Sequence, residues 1–236
     1  MNPSISVIIP VYNEERTIAS VVEIVRIWRK AREIIIVDDG STDNTRKAIK
    51  QFKKDIILLH EKENHGKGYA VAKGIEKAKG DMLLFIDGDI LGLTHKDLDQ
   101  LISPVIARKA EMTVGNYEKD RPTKQFKILS GERALWKKDI LPLVEKLKTV
   151  GYGMELLITD YYKNKPVTYV DLPFVSPFLK FEKQPTNEAV RSYVKEARDL
   201  LMQVVRQQAG ELTPPQAKRL YNTIAQYLKQ ALDYVQ

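Results

Sequence analysis

The chain has 236 residues, of which 43% are hydrophobic and 29% charged, so it can bury a sizeable core as one main domain with an appendage. It has no cysteine, which excludes disulfides, thiolate metal sites and cysteine nucleophiles. No apolar run approaches the roughly 20 residues that span a membrane, and the N-terminus lacks a signal-peptide pattern, so we expect a cytoplasmic protein. The formal net charge of +7 favours an anionic partner.

Strand-like and helix-like patterns alternate along the first half of the chain. Four apolar runs have the length of strands, and they cover residues 5–11, 33–37, 56–59 and 82–86. Asn13 is a suitable N-cap for the helix after the first run. Such alternation predicts an α/β fold with a parallel sheet and right-handed crossovers.

Polar residues gather just past these runs, at what would be one edge of the sheet. Asp87 and Asp89, separated by Gly88, directly follow the fourth run and can face one site, because residues i and i+2 of an extended chain point the same way. Two such carboxylates suit Mg²⁺ or Mn²⁺ that also binds substrate phosphates, although an Asp-Gly-Asp turn without ligand fits the same residues. Lys67 could contact a phosphate at this edge.

Several other classes of nucleotide-binding protein are disfavoured. Residues 66–68 lack the spacing of a P-loop, and no Gly-x-Gly-x-x-Gly follows a strand, which argues against an ATPase and a dinucleotide fold. Nucleic-acid binding would explain the basic charge, but carboxylates at the strand ends repel phosphate unless a metal intervenes. We therefore expect no nucleic-acid partner.

A family resemblance rests on four segments in order, SVIIPVYNE at 6–14, VDDGSTD at 37–43, HGKG at 65–68 and FIDGD at 85–89. They look like the successive signatures of family 2 glycosyltransferases of the GT-A fold. Residues 129–134 and 151–155 extend the likeness more loosely, and are similar both to polyprenyl-phosphate sugar transferases of the dolichyl-phosphate mannosyltransferase type and to glucosyl-3-phosphoglycerate synthases. The resemblance implies a Rossmann-like, mostly parallel sheet flanked by helices, a nucleotide-sugar donor and Mg²⁺ or Mn²⁺.

By position, the resemblance also implies which residues bind the donor. The nucleotide-sugar residues are Pro10, Tyr12, Glu14, Asp39, Lys67 and Asp87. Tyr12 would pack against the base, Asp39 would bind the base and Lys67 would lie near the nucleotide or its phosphates. Asp87 would approach the ribose or the metal, and Asp89 would be a direct metal ligand.

The second half of the domain is expected to bind the acceptor. Glu155, at the start of a predicted helix, is our candidate base for a hydroxyl acceptor, whereas a phosphate acceptor is already ionised and would leave Glu155 to orient other groups. Arg133 would suit a phosphate or carboxylate, with a structural ion pair as the alternative. The polar segment 117–127 is the candidate acceptor loop. The predicted catalytic residues are Asp89, Glu155 and Arg133.

In one respect the chain departs from many members of this family, which add a histidine from late in the catalytic domain to the metal. The histidines here are His60, His65 and His95, so none is available for that position. The departure favours a polyprenyl phosphate over a phosphoglycerate as acceptor. It also favours a metal shell completed by phosphates and water.

We predict a GT-A catalytic domain over residues 1–183, with a nucleotide-sugar half at 1–115 and an acceptor half at 116–183. Residues 184–236 have the pattern of an amphipathic helical hairpin. Its apolar stripes could pack on the domain, form a homodimer or, helped by basic residues, contact an anionic membrane that carries a lipid-linked acceptor. The last arrangement would place the protein at the inner face of the membrane.

The sequence thus favours a metal-dependent glycosyltransferase that moves a hexose from a UDP- or GDP-sugar to a phosphorylated acceptor, with polyprenyl phosphate preferred. One alternative is transfer to a small soluble acceptor such as a phosphoglycerate. The other is a catalytically silent, nucleotide-sugar-binding scaffold, against which stand the intact Asp39, Lys67, Asp87 and Asp89.

Overall fold

The structure is a computed structural model that describes residues 3–116 and 130–177. A seven-stranded sheet forms its centre. Its strands are β1 (Ile5–Val11), β2 (Ala31–Asp38), β3 (Ile57–His60), β4 (Met82–Phe85), β6 (Met112–Asn116), β7 (Arg133–Trp136) and β8 (Val167–Asp171). A separate two-stranded sheet pairs β5 (Ile90–Leu91) with β9 (Ser176–Pro177).

The strand order in the large sheet is β3-β2-β1-β4-β7-β6-β8. Strands β1 to β4 run parallel to their neighbours among themselves, which confirms the mostly parallel sheet expected from the alternating pattern. Strand β7 is antiparallel to both β4 and β6, an insertion that the sequence pattern does not predict. The predicted C-terminal hairpin and the candidate acceptor loop lie outside the described residues.

Helices cover both faces of the sheet. They are α1 (Ile18–Ile27), α2 (Thr45–Lys50), α3 (Lys67–Lys77), α4 (His95–Ile106), α5 (Lys137–Ile140), α6 (Val144–Leu147) and α7 (Met154–Tyr161). One core cluster joins α1 and α4 to one face, and a second joins α3, α6 and α7 to the other. Val7 and Ile9 belong to the first cluster and Ile8 to the second, because successive strand side chains point to opposite faces.

Among the described residues, no helix combines the length and the apolar character needed to cross a membrane.

The start of the first helix differs from the sequence prediction. Helix α1 begins at Ile18 with Thr17 in the N-cap position, and Asn13 is not its cap. Asn13 has a φ of 58°, and its side-chain oxygen accepts the Thr42 N–H at 2.8 Å while its own N–H donates to Ser41 Oγ at 3.0 Å. Asparagine tolerates this left-handed conformation, so the residue joins the loops after β1 and β2.

Glu33 ties three parts of the sheet together at its amino edge. Its Oε1 accepts from the Ser6 hydroxyl of β1 at 2.6 Å and from the Lys79 N–H, just before β4, at 2.5 Å. The Gly80 N–H donates to the same Ser6 hydroxyl at 2.8 Å. Partial burial works to raise the pKa of Glu33, but the Ser6 hydroxyl and the Lys79 and Gly80 N–H groups outweigh it and lower the pKa.

We expect Glu33→Gln to lower the free energy of unfolding by about 1 kcal/mol at neutral pH, after allowing for solvent screening at this partly exposed position. Because the folded pKa lies below the unfolded one, the contribution of Glu33 is fully present above the unfolded pKa and is lost as pH falls through the folded value. Urea melts at neutral and at acidic pH measure the difference. Glu145→Gln, on a side chain that is 82% exposed, is the matched control. A stability gap that widened in acid would contradict this account.

Candidate active site

The predicted donor residues lie together at the carboxyl edge of the sheet. Tyr12 follows β1, Asp39 follows β2, and Lys67 is the first residue of α3, after β3. Asp87 and Asp89 follow β4, which pairs with β1 in the middle of the sheet. The topology brings these side chains to one edge because the carboxyl ends of parallel strands meet there.

The end of β1 packs against the turn that carries the two acids. Gly88 leaves room for this contact, since a Cβ there would lie 2.6 Å from Val11 Cγ1. The Thr17 hydroxyl donates to the Gly88 carbonyl at 2.8 Å. Of the predicted residues here, Pro10 is buried within β1, and Tyr12 is 39% exposed and thus accessible to a ligand. The structure therefore packs Val11 against the acidic turn and leaves the next residue, Tyr12, exposed.

Asp39 holds the loop that leads into α3. Its carboxylate accepts the His65 N–H at 3.0 Å and the Gly66 N–H at 2.7 Å. Burial raises the pKa of Asp39, and these two N–H donors oppose the rise. Gly66 has a φ of 99°, which a residue with a Cβ rarely adopts, and it approaches Gly151 closely. Asp39 thereby fixes where α3, and with it Lys67, begins.

A buried ion cluster occupies the centre of this edge. The Lys67 ammonium lies 2.8 Å from Asp87 Oδ1, 2.9 Å from Asp87 Oδ2 and 2.8 Å from Glu155 Oε1. The three side chains are 19%, 16% and 7% exposed, respectively. Burial alone would lower the pKa of Lys67, but Asp87 and Glu155 raise it well above its ordinary value. Lys67 is therefore a fixed positive charge held between two carboxylates.

Glu132 extends this cluster and was not among the predicted site residues. It is fully buried, accepts from the Ser130 hydroxyl at 2.8 Å and lies 3.4 Å from the Asp87 N–H, a long hydrogen bond. The antiparallel pairing of β4 with β7 brings it there. Gly131 makes space for the contact, because a Cβ on it would lie 2.3 Å from each carboxylate oxygen of Asp87. The Ser-Gly-Glu-Arg segment was the available sequence signal, but its position beside β4 depends on the unpredicted β7.

Arg133 faces the interior of the protein. Its side chain is fully buried, with Nε donating to the Ser130 carbonyl at 3.0 Å and Nη1 donating to Thr159 Oγ1 at 3.1 Å. The negative charges of Glu155 and Glu132 act on its guanidinium. A guanidinium without exposed surface cannot contact an acceptor phosphate directly. The structure therefore favours the alternative role of Arg133, a structural ion pair with buried carboxylates.

The other predicted residues differ in their surroundings. Glu14 donates its N–H to Thr45 Oγ1 at 2.7 Å, which links the loop after β1 to the start of α2. Glu155 is the second residue of α7, near the start of a helix as predicted, and its carboxylate contacts Lys67. Asp89 is half-buried, two residues beyond Asp87.

A divalent cation fits this edge only with help from a ligand. Both carboxylate oxygens of Asp87 contact Lys67, so Asp87 would have to release one of these contacts to bind a metal. Within residues 3–116 and 130–177, no group of three or more His, Cys, Asp or Glu side chains could hold a metal ion. Mg²⁺ typically uses one or two carboxylates together with phosphates and water, so Asp89 suits a metal whose shell is completed by the donor diphosphate.

Comparison with known proteins finds glycosyltransferases that resemble part of the chain. The glycosyltransferase GlyG of Streptococcus pneumoniae is 32% identical over 121 residues, which are 50% of this chain and 40% of that protein. The dodecaprenyl-phosphate galacturonate synthase of Rhizobium johnstonii is 30% identical over 119 residues, 47% of this chain and 35% of that protein. The chain thus spans less than half the length of these relatives.

The fold has a solved counterpart. It matches glucosyl-3-phosphoglycerate synthase from Mycobacterium tuberculosis, crystallised with Mn²⁺, UDP and phosphoglyceric acid, with a TM-score of 0.69 at 20% identity, over 90% of this chain and 80% of that one. This match confirms the expected GT-A fold. The family profile described as glycosyl transferase family 2 matches residues 6–153, which is more than half of the sequence. The chain therefore belongs to glycosyl transferase family 2.

Proposed function

We propose that the protein transfers a hexose from a nucleoside-diphosphate sugar to a phosphorylated acceptor, and that this acceptor is a polyprenyl phosphate. The observation that carries this function is the Lys67 ammonium, held between Asp87 and Glu155 at the carboxyl edge. A departing nucleoside diphosphate develops negative charge, and a fixed cation at that position stabilises it. Family membership and the polyprenyl-phosphate activity named for the Rhizobium relative support the choice of reaction and acceptor.

The base of the donor would lie between the ends of β1 and β2. Tyr12 offers an accessible ring for stacking. Asp39 already accepts two backbone N–H groups, and both of them reach Oδ2. Oδ1 accepts only the His65 N–H, so it keeps a lone pair that can accept a base N–H. These two residues would therefore hold the base before the diphosphate reaches Lys67.

Lys67 must exchange partners when the diphosphate binds. An ammonium has three N–H donors, and three carboxylate oxygens surround this one within 2.9 Å. A phosphate oxygen would replace one of them, and Asp87, which contributes two, is the partner that can release one and keep the other. When bound at Asp89, Mg²⁺ or Mn²⁺ would supply the further positive charge that polarises the leaving group.

Glu155 would orient Lys67 and would not act as a base. The acceptor phosphate is already ionised, so its oxygen can form the new bond to the anomeric carbon while the bond to the diphosphate breaks, and no proton needs to be removed. The 2.8 Å contact of Glu155 with Lys67 fits this role.

We expect one nucleoside-diphosphate sugar of the UDP, GDP, CDP and dTDP series to raise the melting temperature only when Mn²⁺ or Mg²⁺ is present. Asp89→Asn should lower the affinity for that donor by at least about tenfold, since a metal ligand is lost. Thermal-shift titration measures both effects, with Asp55→Asn, an exposed loop acid, as the control. Equal stabilisation without metal, or none from any nucleotide, would contradict the donor site.

Gly131→Ala is expected to lower the transfer rate by at least about tenfold, because the new Cβ would collide with both oxygens of Asp87 and shift its contact with Lys67. Initial rates of donor consumption measure the loss. The double variant with Asp87→Asn is the test of mechanism: the two effects should not add if Gly131 acts through Asp87. Additive losses would show that Gly131 matters for another reason.

The donor that thermal shift identifies can be prepared with a labelled sugar. We expect the label to enter the lipid extract when polyprenyl phosphate is supplied in detergent or vesicles. Lys67→Gln should abolish this transfer. Parallel reactions with 3-phosphoglycerate distinguish the soluble alternative, since their product stays in the aqueous phase. Label found only there would overturn the polyprenyl acceptor and leave the glycosyl transfer intact.

A further inference from the structure

Asp38, the neighbour of Asp39, has a different set of partners from Asp39. Its side chain is fully buried. One oxygen accepts the Ser41 N–H at 2.9 Å, and the other lies 3.0 Å from His60 Nδ1 and 3.7 Å from Arg46 Nε. A buried carboxylate needs such partners, because an unpaired charge in the interior is costly. Asp38 is therefore used to hold structure and not to bind a ligand.

His60 connects this buried acid to the surface. A carboxylate can only accept, so His60 Nδ1 carries the proton and donates to Asp38. Arg46 Nη1 can only donate, so His60 Nε2, 3.1 Å away, accepts from it. Both ring nitrogens are thus used, in one defined tautomer, between a buried acid and a guanidinium that is 53% exposed.

These contacts join the two loops that frame the donor base. Asp38 and His60 are the last register pair of β2 and β3. Beyond them, Asp39 binds the backbone of the loop before α3. Gly40, with a φ of 77°, lies close to the same loop, since a Cβ on it would be 2.6 Å from the Glu63 carbonyl carbon. The position of Asp39 therefore depends on how Asp38 is held.

We infer that His60 is a positioning residue for nucleotide recognition: through Asp38 it sets the alignment of Asp39, and so the affinity and selectivity for the base. The inference rests on the proposed function and deepens it. His60 itself touches no part of the donor in this scheme. Loss of its Nδ1–H would leave one oxygen of Asp38 with Arg46 Nε at 3.7 Å as its nearest cation, and the loop bound to the other oxygen would move with the carboxylate.

The deciding experiment compares two amides at position 60. The side-chain nitrogen of His60→Asn falls near Nδ1 and can donate to Asp38, whereas that of His60→Gln falls near Nε2 and cannot. With UDP, GDP, CDP and dTDP as probes, we expect His60→Asn to keep the Kd of the preferred nucleotide within about threefold. We expect His60→Gln to raise this Kd by about tenfold, which corresponds to the loss of one hydrogen bond. The same variant should lower the ratio of the affinities for the preferred and the second-best nucleotide.

Controls separate this role from general destabilisation. His95→Gln removes a ring whose Nε2 lies 3.1 Å from the Ile24 carbonyl of the first helix, and it should change neither affinity nor selectivity. Arg46→Ala removes the guanidinium that donates to His60, and its Kd for the preferred nucleotide should lie between those of His60→Asn and His60→Gln. In all of these variants, kcat at saturating donor should stay within about twofold of the wild type.

The outcomes are distinct. Equal loss in His60→Asn and His60→Gln, or loss in neither, overturns the role of His60 and leaves the proposed function standing, provided that the wild type binds a nucleotide. A lower melting temperature without a change in base selectivity also overturns it, since it indicates a structural role only. A wild type that binds none of the four nucleotides overturns both the function and this inference.

Discussion

The donor edge depends on one buried charge constraint, the pairing of Lys67 with Asp87 and Glu155. The three residues come from α3, the end of β4 and α7, so parts of the chain nearly ninety residues apart must dock for the lysine to be neutralised. Removing one partner of such a buried group typically costs about 3 to 5 kcal/mol, whereas a surface pair is worth little. The contact that joins α3 to the end of β4 and to α7 therefore also keeps a cation at this edge.

The antiparallel strand β7 makes this arrangement possible. It lies between β4 and β6, and the two residues just before it lie beside Asp87. Gly131 leaves room for the Asp87 carboxylate, and Glu132 lies near the Asp87 N–H. Arg133 then places a second positive charge inside the fold, where Glu155 and Glu132 act on it. The charges of the site thus come from several elements, and the strand that runs opposite to the others brings Glu132 and Arg133 to them.

Much of this edge could be predicted from the sequence, because it follows from the alternation of strands and helices and from the shared direction of parallel strands. Apolar runs that alternate with helices imply parallel strands, and acids that follow such runs must meet at one edge. The positions of Glu132 and His60 could not be predicted in this way, and for Arg133 the sequence left two roles open, an acceptor contact and a structural ion pair. Each depends on a partner brought close by strand pairing between distant segments, either β4 with β7 or β2 with β3. Asn13 was wrongly predicted as a cap for a related reason, since its left-handed backbone is set by contacts to the next loop.

The bond between Asp39 and the loop before α3 has a wider consequence. Asp39 grips main-chain N–H groups at residues 65 and 66, which every residue other than proline provides. Side chains in the loop over 61–65 can therefore be exchanged while its path stays the same. If Asp39 binds the base as proposed, substitutions at exposed positions of this loop would change the base preference and leave Lys67, Asp87 and Glu155 in place.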